Sequence, residues 1–394
     1  MQIYLDYSAT TPCHPEVIST VQLVLSEHWG NPSSLHVWGE RAAWVLEQAR
    51  MQVADLIQAP LESIVFTSGG TESNNLALHG VASRFEQPQH LIISGVEHSS
   101  ISNAAQQLAQ GGWQVTCLPV DPQGRVQPLA LQRALRSNTV LVSVIYGQSE
   151  VGTLQPIPAL AEIAHRHGAY FHTDAVQAAG RIRLDVQALG VDLLSLSSHK
   201  FYGSQGAGAL YVRPGLDLVP LLAGGGQEGN LRSGTPGLPA IAAMGHAAHL
   251  AAQNLAAESV RLTALRDRLY GRLADNLLLV PTGDPQQRLP HHLSFWVRWP
   301  QTGRRSSQPP LSGKAVVRQM NLAGIAISSG SACHSGKLTP SPVLLAMGLS
   351  ETAASAGLRI TLGRETTEAD LDWTAMVLEQ VLTRLTESKI PAAV

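Results

Sequence analysis

Tyr170-Phe171-His172-Thr173-Asp174-Ala175 and, after a short interval, Leu193-Leu194-Ser195-Leu196-Ser197-Ser198-His199-Lys200 are apolar runs that each close on polar residues. Short runs of this kind read as buried strands. Working outward, the stretches 63–68, 90–95, 114–120, 140–145 and 207–212 have the same character. Helix-length segments such as 99–110, 128–136 and 156–167 lie between most of them. Strand, helix, strand at this pitch predicts an α/β fold on a mainly parallel seven-stranded sheet covered on both faces. Ligands of such sheets sit beyond the carboxyl ends of the strands, so the polar residues closing each run are the ones to watch.

The flanking chain reads as packing. Between 38 and 57, Trp38, Ala42, Val45, Ala49, Val53 and Leu56 recur at helical spacing and predict one buried face. An Ala- and Leu-rich helix over 240–273 leads out of the first half. A strand at 293–297, a polar loop at 302–313 and a final helix follow. That helix opens on a Thr367–Asp370 capping box and carries Trp373, Val377, Val381 and Leu385.

With 394 residues, 44% hydrophobic and 14% charged, the chain can bury a large core. A net charge of -2 offers no field for nucleic acid, and no apolar run is long enough to span a bilayer. No signal peptide is legible at the N-terminus. Three well-separated cysteines, Cys13, Cys117 and Cys333, exclude a thiolate zinc site, and no metal is expected. They fit a reducing compartment, so the expected location is the cytoplasm.

Five groups carry chemistry. Ser68-Gly69-Gly70-Thr71 joins a strand to a helix, where glycine N–H groups, the helix dipole and a hydroxyl can cradle a phosphate, although a plain turn reads equally well. Asp174 ends its strand as a carboxylate that burial makes costly without a cationic partner, such as a protonated pyridine, although taken alone it reads better as a helix cap. Lys200 follows Ser197 and His199 at a strand end, where an amine of lowered pKa could form a Schiff base. His98 could stack on a planar cofactor and shuttle protons. Cys333, in Ser328-Ser329-Gly330-Ser331-Ala332-Cys333-His334-Ser335-Gly336-Lys337, stands beside a histidine and near a lysine that would favour its thiolate. Cys13 and Cys117 have no such setting and read as structural.

Together with Tyr4-Leu5-Asp6-Tyr7-Ser8-Ala9-Thr10-Thr11-Pro12, Gly30-Asn31-Pro32-Ser33-Ser34, Arg232-Ser233-Gly234-Thr235 and Leu358-Arg359-Ile360-Thr361-Leu362-Gly363-Arg364, these motifs run nearly end to end. In this order the chain resembles the cysteine desulfurases of the NifS/IscS type, class V aminotransferases among the fold-type I pyridoxal-phosphate (PLP) enzymes. The resemblance implies a large PLP-binding domain over 15–255 and a smaller α+β domain formed by 1–14 and 256–394. It implies PLP on Lys200, with Asp174 at the pyridine nitrogen, Gln177 at the phenolic oxygen and His98 stacked on the ring. Gly70, Thr71, Ser197 and His199 would bind the phosphate, with Thr235 reaching over from the second subunit of a homodimer. Arg359 would clamp the substrate carboxylate, and Asn31 would lie near the substrate.

The implied reaction converts L-cysteine to L-alanine. Freed Lys200 removes the Cα proton, and the Cys333 thiolate takes the substrate sulfur as a persulfide, with His98 a candidate acid or base. An iron–sulfur scaffold or a tRNA-thiolation enzyme would accept that sulfur. The rival reading is a lyase of the same fold acting on cysteine, cystine or selenocysteine without a protein persulfide. The chain departs from the family where an Asn pair is replaced by Gln148 and Ser149. The shorter Ser149 would contact cofactor and substrate less, or through water. The stretch 302–313 resembles an insertion near the site's rim, and the chain ends soon after Leu385, without the tail that IscS-type members use for scaffold docking.

Overall fold

A computed structural model describes residues 2–299, 312–330 and 339–387. The chain enters through a two-residue strand, β1 (Ile3–Tyr4), and then lays down β2 (Ile64–Thr67), β3 (His90–Ser94), β4 (Gln114–Leu118), β5 (Thr139–Ser143), β6 (Tyr170–Asp174), β7 (Leu193–Ser197) and β8 (Gly208–Val212). These last seven, all legible as apolar runs, form one sheet in the order β2-β8-β7-β6-β5-β3-β4. The pairs from β7 through β4 are parallel, while β8 runs antiparallel to both of its neighbours.

Alternation along the strands builds two cores, because successive side chains point to opposite faces. Phe66, Leu194, Leu196 and Tyr211 enter one cluster, while Val65, Leu193, Leu210 and Val212 enter the other. Helices Gly70–Ala82 and Ser99–Gln110 cover the second face, and Val37–Ile57 and Ile157–Arg166 cover the first.

A 36-residue helix, Leu238–Leu273, leaves this body. At 1.5 Å per residue it is about 54 Å long. Its first half (Ile241, Met244, Ala248) lies in the core of the large sheet, and its second half (Leu262, Leu269, Leu273) lies in a separate core. That second core is built on an antiparallel sheet of β9 (Leu279–Pro281), β10 (His292–Val297) and β12 (Gly357–Thr361), ordered β12-β10-β9. The first strand returns here, pairing in parallel with β11 (Ile325–Ala326). The final helix, Glu368–Glu387, opens on the Thr367–Asp370 box, with the Asp370 N–H donating to Thr367 Oγ1 at 3.2 Å.

One expected packing residue is misplaced. Ala42, Val45, Ala49, Val53 and Leu56 are buried, but Trp38 is 51% exposed. The helix crosses the long helix at Ala49, where a Cβ added to Gly245 would lie 2.5 Å from Ala49 Cα. Trp38 stands about 16 Å of helix away from that crossing, where the stripe overhangs its support. It shares the surface with exposed Trp29, Leu35 and Trp44. Among the described residues no helix is long and apolar enough to cross a membrane, and no cluster of His, Cys, Asp and Glu could hold a metal ion.

Candidate active site

Several parallel strands deliver their last residues to one end of the sheet. β2 ends at the Ser68–Thr71 turn, β6 at Asp174, and β7 at the single helical turn carrying His199 and Lys200; His98 follows β3 after a four-residue step. A cavity of about 220 Å³ there is lined by Gly70, Thr71, His98, Ser149, Asp174, Gln177, Ser197, His199 and Lys200, together with Asn74, Ser100, Ile145 and Val176. A larger, mostly apolar cavity of about 390 Å³, between Phe201, Leu250 and Arg364, contains none of these residues.

The turn after β2 fits between its neighbours only because it is glycine. A Cβ on Gly70 would sit 2.8 Å from Val176 Cγ2. Gly208, at the start of β8, has the same constraint, since its Cβ would meet Gly69 Cα at 2.6 Å. The 13-residue helix beginning at Gly70 therefore points its unpaired N–H groups at the cavity beside Ser197 and His199.

Lys200 Nζ donates to the carbonyls of Ser8 at 2.6 Å and Ala9 at 2.8 Å. The segment after β1 thus forms a floor to the site. Gln177 Nε2 also donates to Ser8 O, at 2.9 Å, and the Thr11 N–H donates to His199 O at 3.0 Å. His199 Nδ1 lies 3.0 Å from Thr10 Oγ1. Burial, with Lys200 adjacent, pushes the His199 pKa down to about 4, so its imidazole is neutral at pH 7.

Asp174 is 3% exposed and accepts from Asn74 Nδ2 at 2.7 Å and the Val176 N–H at 3.0 Å. Both donors are neutral. His98 caps the helix Ser99–Gln110, its Nδ1 accepting from the Ser100 N–H at 3.2 Å. The preceding Glu97 is half-buried, accepts from Ser94 Oγ at 2.5 Å and the Ile145 N–H at 2.8 Å, and is pushed up to about 8 by desolvation.

Arg359, in β12, is 3% exposed and is not among the residues lining the cavity. Its Nη2 meets Asp6 Oδ1 at 2.7 Å and its Nη1 donates to Ser149 O at 3.0 Å, while its buried Nε has no partner among the described residues. Ser149 O also accepts from His292 Nε2 at 3.1 Å. Gln148 faces inward and staples the turn, its Oε1 accepting from the Val151 N–H at 2.9 Å. Glu150, pushed up to about 7 by burial, accepts from Ser341 Oγ at 2.5 Å.

Gly152 closes this turn at φ +77°, and a Cβ there would lie 2.7 Å from His292 Cγ. Gly152→Ala is therefore expected to cost about 2 kcal/mol or more, through strain and displacement of His292. Urea unfolding would measure it, and a midpoint equal to wild type would refute the assignment.

Two other expected site residues, Asn31 and Thr235, lie outside this cavity. Asn31 is exposed, its Oδ1 accepting from the Ser33 N–H at 3.0 Å. Thr235 is exposed on a separate cleft with Phe66 and Glu228. Cys333 and the stretch 302–311 lie outside the described residues. Sequence reasoning passed over Asn74, Ser100, Ser8 and His292. The available signal for Asn74 was a polar residue on the buried face of its helix, close behind the glycine turn.

The buried ionisable groups predict a stability profile. His172, held between Ser143 Oγ and Ser195 Oγ, is pushed down to about 3, and His90 to about 4, by burial. His291 and His292 are also lowered well below 6.5. The unfolded chain binds these protons first, so stability falls as pH drops from about 6.5 to 4. Glu97 and Glu150 act oppositely, because the native state keeps protons that the unfolded state releases above about 4.5. Tm is expected to peak near neutrality, fall steeply below pH 6.5 and decline gently toward pH 8. A Tm unchanged between pH 7 and 4.5 would contradict this.

The profile of the aminotransferase class-V family matches residues 3–373. The chain is 42% identical over 386 residues to a protein of Dictyoglomus turgidum named cysteine desulfurase IscS, covering 98% of this chain and 95% of that one. It is 41% identical to cysteine desulfurase IscS 1 of Archaeoglobus fulgidus, over 97% of each. Among solved structures, a NifS-like protein superposes with a TM-score of 0.89 at 32% identity, covering 97% of this chain and 100% of its own. A structure described as SspA in complex with cysteine superposes at 0.80 with 34% identity, covering 92% and 99%.

Proposed function

The chain belongs to the aminotransferase class-V family, and from that premise we infer that it is a cysteine desulfurase that works with pyridoxal phosphate held on Lys200. The observation that carries the reading is the meeting of Lys200, Asp174 and the Gly70–Thr71 helix start around one cavity. The residues fit the cofactor in kind. Gly70 leaves no room for a Cβ where a phosphate cradle needs bare backbone, and Asp174 is a buried carboxylate whose described donors are uncharged.

Each side chain then has a task. Asp174 would hold the pyridine nitrogen and Gln177 the phenolic oxygen, with His98 against the ring. Gly70, Thr71, Ser197 and neutral His199 would bind the phosphate. When bound, the cofactor supplies an electron sink for the charge left at Cα. Lys200 Nζ takes the Cα proton, and the carbonyls of Ser8 and Ala9 stand ready to hold the resulting ammonium. Arg359 orients the substrate carboxylate, exchanging or sharing Asp6, and Ser149 and Asn31 complete the substrate side. The Cys333 thiolate attacks the substrate sulfur, the Cβ–S bond breaks, Cβ gains a proton, and Lys200 returns its proton to Cα, leaving L-alanine and a Cys333 persulfide.

A second copy of the chain would cover exposed Trp29, Leu35, Trp38 and Trp44 and bring its own Thr235 to the phosphate. The persulfide would pass to an acceptor protein in the cytoplasm, an iron–sulfur scaffold or a tRNA-thiolation enzyme. The deciding experiment incubates the PLP-loaded protein with L-cysteine and weighs the Cys333 peptide. One added sulfur, with alanine as product, is expected. A Cys333→Ala variant that keeps the wild-type rate would replace the persulfide route by lyase chemistry.

A further inference from the structure

We propose that Asn74 and Ser100 are positioning residues that tie His98 to Asp174 through one directed chain of hydrogen bonds, and so fix which nitrogen of His98 carries its proton. The proposal rests on the desulfurase reading above and adds to it two residues with no assigned role.

The direction follows from donor counting. A carboxylate only accepts, so the Asn74 amide must turn its nitrogen toward Asp174 Oδ2, at 2.7 Å. The second hydrogen of that nitrogen goes to Ser100 Oγ, at 2.8 Å. Having accepted there, the Ser100 hydroxyl directs its own hydrogen to His98 Nδ1, at 2.7 Å. The Ser100 N–H donates to the same nitrogen at 3.2 Å. Two donors on Nδ1 make it an acceptor, so neutral His98 carries its proton on Nε2. Protonating Nδ1 would break the bond from the Ser100 N–H and force the Ser100 hydroxyl to turn from donor to acceptor. In a ring that lines the cavity, the chain makes His98 a donor rather than a base.

The relay is kept at a cost. Asn74 is 1% exposed, and its Oδ1 is buried with no partner among the described residues. An apolar residue of similar size would carry no such penalty. Its retention is accounted for if both amide hydrogens are needed. The helices also place the chain well: Asn74 stands one turn into the helix that starts at Gly70, and Ser100 is the second residue of the helix that His98 caps.

The test uses PLP-loaded holoenzyme of the wild type, Ser100→Ala, Ser100→Thr, Asn74→Leu and the Asn74→Leu/Ser100→Ala double variant. Ser100→Ala and Asn74→Leu are each expected to lower kcat about tenfold while KM stays within about twofold. Asn74→Leu, which strips a donor from Asp174, is also expected to move the visible absorption of the bound cofactor. Ser100→Thr restores kcat to within about twofold, because it keeps the hydroxyl. The double variant is expected to lose about as much as the worse single one, since one chain is broken only once. Unchanged kcat and spectrum in both single variants, or losses that multiply in the double variant, would overturn the relay. So would variants that differ from wild type only in Tm. A wild-type protein that binds no PLP, or makes no alanine from L-cysteine, would instead sink the desulfurase reading and take the relay with it.

Discussion

Replacing Lys200 by alanine is expected to lower alanine formation from L-cysteine by at least about 10⁴-fold, the top of the range for a positioned proton-transfer group. The chain has four lysines, at positions 200, 314, 337 and 389, and only Lys200 follows a strand of the large sheet. Its amine is aimed by two carbonyls of the segment after β1, at 2.6 and 2.8 Å. No such aim can be recovered by a lysine placed elsewhere. The variant should still fold, because the backbone turn at Ser198–Lys200 is held by other bonds, including the Thr11 N–H to His199 O at 3.0 Å. Rapid-quench assays, Tm and the borohydride-sensitive visible band would be read together. A folded Lys200→Ala protein within tenfold of wild-type turnover would end the assignment.

Asp174→Asn should cost about 10² to 10³-fold in kcat and weaken PLP binding measurably. The carboxylate sits on the last residue of β6 and receives donors on both oxygens. The substitution puts an NH₂ against one of those donors and removes the charge that would hold a pyridinium. Asp174→Glu keeps the charge but moves it, so it should lose less in cofactor affinity than in turnover. Equal kcat for Asp174→Asn and wild type would mean that the ring nitrogen is held by something else.

Much of this arrangement was legible because it depends on local pattern. The seven apolar runs all became strands of the large sheet, and Asp174 and Lys200 were visible as polar stops on β6 and β7. Strand direction is not encoded in that pattern, so the reversal of β8 between β2 and β7 came only from the fold. Trp38 kept the right spacing but lay too far from the crossing at Ala49 and Gly245. Ser8 and His292 were not legible, because their work depends on partners that other elements bring to them. Ser8 lies 192 residues from the lysine it receives, and His292 lies 143 residues from Ser149.

The floor beneath Lys200 also sets an order of events during synthesis. The segment that carries Ser8 and Ala9 leaves the ribosome well before its partners, since the Ser8 N–H bonds Thr361 Oγ1, 353 residues later, and β1 pairs with Ile325–Ala326. Until those late residues emerge, the early segment has nowhere to dock, and the carbonyls that aim the lysine are absent. The large sheet can form while translation continues, but the pocket cannot be finished. Completion of the site thus waits for the late strands, and a chain stalled before Ile325 would carry the large sheet with an incomplete site.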